Sequence, residues 1–336
     1  MLELLKKLCE IPAVSGNEDT LKDFIIDQIK GFAEYETDPS GNLICFKRGK
    51  KPAAKKVMAD AHMDEVGIIA SYISNDGLIK FQTVGGIDTA VMLARKVVFE
   101  NGTVGVVGMK PVHMLSADEK KKLPCTDSLY IDIGAATKAE AEEKVSVGDT
   151  AVFYSVPTEL GENLLARAID DRAGVAILIT LLKNEAEYDF YATFTTREEV
   201  GLRGAKAASF TVSPDAAVIL EATTAADLYG VAEDKRVCRL GRGPAISFMD
   251  RSTLYDKKLF DFANGLDIPH QVKEYVSGGN NAGAVHLSKG GVPTVTVSLP
   301  TRYIHSPSCV ANTKDLSDMY LFSQRLINAL ASGEIL

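Results

Sequence analysis

The sequence predicts an α/β fold in which a mostly parallel central sheet is interrupted by a small all-β insert. Three observations carry this reading. Strand-like and helix-like segments alternate after Pro157; short β-rich runs crowd together between Gly67 and Tyr154; and a helix followed by a buried strand precedes Gly67. The expected division is one α/β unit of residues 1–66 and 157–336, split by an inserted β unit of residues 67–156.

Taken in order, Leu2, Leu4 and Leu5 are set at helical spacing among charges. Leu21, Phe24, Ile25, Ile29 and Phe32 then recur on one helical face after Ser15-Gly16-Asn17-Glu18, which predicts an amphipathic helix with a capping region before it. A buried strand follows at 56–61. The β-rich runs are 78–83, 96–99, 103–107, 129–133 and 150–154, separated by the turn formers Asn75-Asp76-Gly77, Asn101-Gly102 and Gly148-Asp149. Beyond them the expected elements are a helix at 172–183, a strand at 190–196 and a helix near 204–209. Strands at 216–220 and 294–299 and a closing helix at 315–331 complete the set.

Composition narrows the functional classes. The chain has 336 residues, 46% apolar and 24% charged, an ordinary globular balance with ample length for a large core. Its 45 acids against 37 bases give a net charge of −8, which argues against nucleic acid or an anionic membrane surface as partner. The longest apolar run, 173–182, lies between Arg172 and Lys183 and is too short to span a bilayer. Cys9, Cys45, Cys125, Cys238 and Cys309 are scattered and never in C-x-x-C spacing, so the expected setting is a reducing cytoplasm. Neither a G-x-S-x-G elbow nor a Walker A sequence is present.

Ligands of open α/β sheets bind beyond the carboxyl ends of the strands, so those ends decide the chemistry. The 57–61 strand runs into His62-Met63-Asp64-Glu65, the 190–196 strand into Arg197-Glu198-Glu199, the 216–220 strand into Glu221, and the 294–299 strand toward His305. Asp170-Asp171 stands immediately before a helix. Mixed histidine and carboxylate donors suit zinc, cobalt or manganese. With Asp170 as a bridge, His62 and Glu221 complete one site while Glu199 and His305 complete a second. Two such ions acidify a shared water and polarise a carbonyl, the arrangement of dinuclear aminopeptidases. Glu198 is then the proton shuttle and Asp64 the acid that orients His62. Taken singly, each group has a commoner explanation: a satisfied core histidine, a solvated acidic pair, a helix N-cap, a surface glutamate. Their joint placement favours the metal site; His113, His270 and His286 stay outside it.

At these residues the sequence resembles the dinuclear metallopeptidases of the tetrahedral aminopeptidase type, the glutamyl aminopeptidase or FrvX-like group. The segments are Pro12-Ala13-Val14-Ser15-Gly16-Asn17-Glu18, Ala61-His62-Met63-Asp64-Glu65-Val66-Gly67, Ala168-Ile169-Asp170-Asp171-Arg172-Ala173-Gly174, Arg197-Glu198-Glu199-Val200-Gly201-Leu202-Arg203-Gly204-Ala205, Gly241-Arg242-Gly243-Pro244-Ala245-Ile246 and Arg302-Tyr303-Ile304-His305-Ser306-Pro307. Each is weak alone; six in family order across nearly the whole chain are specific.

The resemblance implies a three-layer peptidase domain with a barrel-like insert serving assembly, removal of N-terminal residues from short peptides, and self-association into dimers and then a dodecamer. It implies that His62, Asp170, Glu199, Glu221 and His305 are the metal ligands, with Asp170 bridging two divalent ions, zinc or cobalt before manganese. Glu198 matches the general base and Asp64 the orienting acid, and the peptide after Asp170 is expected to be cis. Two departures stand out. Glu221 occupies a position where many members have Asp, and Gly278-Gly279-Asn280-Asn281-Ala282-Gly283 carries amides where a Thr-Asp pair is frequent. Gly279 and Asn280 are the expected substrate contacts. Two rival readings are a dinuclear carboxypeptidase or deacylase, using Arg242, Arg251 or Arg302 for a substrate carboxylate, and a non-catalytic assembly protein of the same fold.

Overall fold

A computed structural model describes residues 1–335. Its central sheet is parallel through four adjacent strands, in the order Phe190–Thr195, Val57–His62, Ala216–Thr224 and Thr294–Arg302. Side chains in these strands alternate between two apolar layers, as the two-residue repeat of a strand requires. Val57, Ala59 and Ala61, with Ala216, Val218 and Leu220, join the cluster built by the Leu2–Glu10, Asp19–Ile29, Ile169–Lys183 and Thr313–Ser332 helices. Met58, Ala217 and Ile219 face the other way, onto Ala205, Val212 and Val285 of the Arg203–Val212 and Ala282–Val285 helices. Both faces are covered, which makes three layers and explains strands that read as unbroken apolar runs.

The sheet is less parallel than its sequence suggests. Beyond the four central strands, the Glu34–Thr37 and Leu43–Lys47 hairpin extends one edge, and Cys309–Asn312, Asn163–Ala166 and Thr158–Leu160 extend the other, all antiparallel. These flanking strands are only three to five residues long, too short for a periodicity to mark them. The Lys257–Asn264 helix, capped by Asp256 accepting from the Leu259 N–H at 3.0 Å, lies against the same sheet and also escaped the periodicity.

The insert is a closed antiparallel barrel of Gly67–Ile73, Ile79–Val84, Leu129–Asp132, Val104–Met109, Lys96–Phe99 and Thr150–Phe153. The sequence placed each run it named to within two residues. The barrel has its own apolar core, including Ile68, Phe81, Phe99, Ile131 and Phe153, with no member shared with the central sheet. Closure leaves it without open strand edges. The chain enters it five residues after His62 and returns to the sheet just before Asp170, so the insert is bracketed by two of the expected site residues. Among the described residues no helix is long and apolar enough to cross a membrane, and all five cysteines are free thiols.

Candidate metal centre

The expected groups converge at the carboxyl ends of the central strands. His62 ends its strand beside Thr195, and Glu221 sits within the Ala216–Thr224 strand opposite Ser298. Asp170 precedes the helix proper: it and Asp171 have non-helical backbone angles, and the peptide between them is cis, as the family resemblance implies. The two acids divide the labour. Asp171 is the cap, its Oδ1 accepting the Gly174 N–H at 2.9 Å, and this frees Asp170 to face the site. Gly174 is required because any Cβ there would strike the Asp171 carboxylate.

Two triads result. His62 Nε2 lies 3.2 Å from Asp170 Oδ1 and 3.3 Å from Glu221 Oε1. His305 Nε2 lies 3.4 Å from Asp170 Oδ2 and 3.4 Å from Glu199 Oε1. Within each triad all donor atoms fall within 4.8 Å of one another, and Asp170 presents one oxygen to each. Glu199 Oε1 and Glu221 Oε2 are buried without a hydrogen bond. Buried carboxylate oxygens left without donors, in an all-nitrogen-and-oxygen set lacking thiols, fit divalent cations of the zinc, cobalt and manganese type.

Electrostatics show the same deficit of positive charge. Burial lifts Glu199 to about 8, and the neighbouring Asp170 adds to it. Burial likewise raises Glu221, again with Asp170 in the same sense. Burial works against a charged His305, yet its hydrogen bond to Asp170 and the charge of Glu199 outweigh that and raise it to about 9. Glu198, which lines the cavity beside the triads, is pushed up to about 7 chiefly by burial.

Asp64 does more than its expected role. Its main-chain carbonyl, at 2.9 Å, is the nearest acceptor for His62 Nδ1, with the carboxylate Oδ1 at 3.5 Å. That carboxylate instead accepts the backbone N–H groups of Glu198 at 2.9 Å and Glu199 at 3.1 Å, and the Ser15 hydroxyl at 2.5 Å. Glu18 completes the clamp by accepting from Gly16 and Arg197 N–H groups at 2.8 and 3.1 Å. The Ser15–Glu18 motif thus holds the loop that bears both glutamates. Below it, buried Glu65 accepts from Arg167, from Arg172 at 3.1 Å and from the Ala13 N–H at 3.2 Å, while Arg172 donates to the Met63 carbonyl. This network ties the segment after His62 to the segment around Asp170.

The cavity in front of the triads is lined by Glu198, Thr223, Lys273, Gly279, Asn280 and Ile304, among others. Gly279 and Asn280, the expected substrate contacts, are thus part of its wall. The Asn280 amide nitrogen is committed to Asp250 and Tyr255, and the Asn281 amide to Asp60 at 2.8 Å and Thr195 at 2.9 Å. Lys273 carries no sequence signal, yet it is buried, with no ion-pair partner within 4 Å among the described residues. Burial lowers its pKa. Of the arginines proposed for a substrate carboxylate, Arg302 is held by both oxygens of Asp227 at 2.7 Å, and Arg242 and Arg251 are exposed and line no part of this cavity.

Against known proteins, the family model described as M42 glutamyl aminopeptidase matches residues 41–321. The chain belongs to this M42 family. It is 37% identical to a protein of Acetivibrio thermocellus provisionally named an aminopeptidase, over 95% of this chain and 96% of that one. It is 33% identical to the lysyl aminopeptidase of Pyrococcus furiosus (98% and 97% covered) and 29% identical to the glutamyl aminopeptidase of Lactococcus lactis (100% and 98%). Among solved structures, the TET aminopeptidase of a marine-sediment thaumarchaeote superposes with a TM-score of 0.94 at 32% identity, covering 99% and 97%. The Pyrococcus horikoshii TET1 peptidase, which can assemble into a tetrahedron or a large octahedral shell, gives 0.84 at 34% identity, covering 98% and 99%. As an M42 member the chain is a peptide-bond hydrolase of the aminopeptidase class. Full-length coverage places both the sheet and the barrel inside the M42 pattern.

Proposed function

We propose that this protein is a two-metal aminopeptidase that removes N-terminal residues from short peptides. The observation that carries the reading is the sharing of Asp170 between two His–carboxylate triads at the strand ends. His62, Asp170 and Glu221 hold one divalent cation, and Asp170, Glu199 and His305 hold the other, zinc or cobalt before manganese. When bound, the pair supplies an acidified water and polarisation of the scissile carbonyl. Glu198 takes the proton of the attacking water and returns it to the leaving amine. Its burial suits this duty, since a carboxylate raised to about 7 accepts a proton readily near neutrality. Asp64 positions both glutamates through their backbone N–H groups and fixes the His62 ring through its carbonyl.

Lys273 defines the substrate class within this reading. A buried lysine without a partner in the cavity wall calls for an anion, and the cavity floor already holds the triads that engage the free end of the peptide. We assign it to the carboxylate of an acidic N-terminal side chain, with Gly279 and Asn280 forming the adjoining wall. Residues 1–66 and 157–336 make the catalytic unit, and the 67–156 barrel serves assembly, in line with the shells described for the Pyrococcus horikoshii relative. The free thiols fit a cytoplasmic setting.

The test is Glu198→Gln, assayed on aminoacyl-p-nitroanilides with metal content measured in parallel. Turnover should fall by about 10²–10⁴-fold with both cations retained. Parent-like turnover would remove Glu198 from the chemistry. On the same panel, Lys273→Met should lower kcat/KM for glutamyl and aspartyl substrates by about 10–100-fold and leave leucyl substrates within about threefold. Cleavage of N-acetylated peptides from their carboxyl ends would instead favour the carboxypeptidase reading, with Lys273 taking the terminal carboxylate.

A further inference from the structure

We propose that the Gly85-Gly86 turn of the barrel is a positioning element for the second cation site, so that the insert governs metal occupancy of the catalytic sheet. The inference rests on the two-metal reading. His305 Nδ1 donates to the main-chain carbonyl of Gly86 at 2.8 Å, which turns Nε2 toward Asp170 and Glu199. The two histidines obey one rule with different partners. His62 is oriented by a carbonyl two residues along its own segment, whereas His305 is oriented by one 219 residues earlier in the chain, on the other unit. His305 has no comparable support at home: it lies past the end of the Thr294–Arg302 strand, at φ +58°, with 31% of its side chain exposed. Metal-binding histidines depend on such a partner to fix ring orientation and tautomer.

The turn also packs on the second ligand of that site. At Gly85, φ is +80°, and a Cβ would stand 2.8 Å from Val66 Cγ1 and 3.3 Å from Glu199 Cβ. Only glycine lets the turn approach so closely. At Gly86, by contrast, a Cβ would meet His305 Nδ1 at 3.7 Å, an ordinary contact. The turn therefore touches Glu199 through one glycine and His305 through the other, and touches neither His62 nor Glu221 in the same way. Through these contacts a shift of the turn bears directly on Glu199 and His305.

The experiment is a calorimetric titration of the chelator-stripped full chain with zinc. The parent should bind two cations. Gly85→Ala should retain one with parent affinity and weaken the second by about 10–100-fold, the usual cost of losing a ligand's orienting partner. Gly102→Ala, equally left-handed at φ +84° in a barrel hairpin but with nothing within 4 Å of its Cβ, should leave both unchanged. Adding Val66→Ala to Gly85→Ala should recover part of the lost affinity. Equal weakening of both sites, or none, overturns the positioning role, whereas a parent that binds fewer than two cations overturns the two-metal reading beneath it. Hydrogen exchange of the parent gives a second measurement that needs no variant to fold. Amides of 84–88 should slow on the second equivalent of zinc and not on the first, because coupling between sites is reciprocal. Exchange in that turn indifferent to the second equivalent also overturns the role.

Discussion

The two triads share Asp170 and little else. Apart from Asp170, the first is built from two central strands and is nearly sealed, with His62 at 1% and Glu221 at 7% side-chain exposure. The second draws Glu199 from a clamped loop and His305 from beyond a strand end, and borrows the Gly86 carbonyl from the barrel. One is a product of the sheet core; the other is assembled from three segments at the boundary between units. Burial and a local carbonyl hold the first, and contacts distant in sequence hold the second. Only the second triad also meets the insert, through His305 and the Gly86 carbonyl.

The comparison can be broken most completely at the shared residue. Asp170→Asn removes a ligand from both triads, and both cations should be lost together, with kcat/KM down on the order of a thousandfold or more. Retention of one tightly held ion would show that the triads do not share it. The histidines then separate the two sites. His62→Ala strips a buried ring from between two buried carboxylates and should cost about 3–5 kcal/mol of stability as well as the first cation, whereas His305→Ala should lose the second cation with a stability change under about 1 kcal/mol. Thermal unfolding of the stripped and loaded proteins measures both; equal losses of stability would erase the distinction drawn from burial. The smallest effect is in the pH profile. Burial lifts Glu198 to about 7, and its carboxylate must be deprotonated to act as base, so kcat/KM should fall as pH drops. Cations beside it lower that value, so the midpoint should lie at or below about 7. A flat profile down to about pH 5 would detach Glu198 from the proton transfer.

Much of this architecture was legible because strand and helix periodicities are local. The four central strands, the long helices and the barrel runs all appear as apolar patterns of the right length, and strand ends could be searched for chemistry. What escaped were short elements: the flanking antiparallel strands, the eight-residue Asp256-capped helix, and Lys273 at the end of the two-residue Gln271–Val272 strand. Gly279 and Asn280 are the expected substrate contacts, and Asn281 the neighbouring amide. In the fold the amide nitrogens of Asn280 and Asn281 are turned to Asp250, Tyr255, Asp60 and Thr195, and the Asn280 oxygen accepts from the Ala282 N–H and Thr296, so Asn280 lines the cavity with its polar atoms engaged.

By itself the sequence determined which donors stand at which strand ends, since a strand places its last residue wherever the local pattern stops. Only the tertiary structure decided their partners. Asp64 was legible as an acid near His62, but its hold on Glu198 and Glu199 spans 134 and 135 positions, and the hold of Gly86 on His305 spans 219. Hydrogen bonds to main-chain groups at such separations depend on where whole elements pack, and a backbone carbonyl is the same in every residue type. No periodicity or residue identity records them.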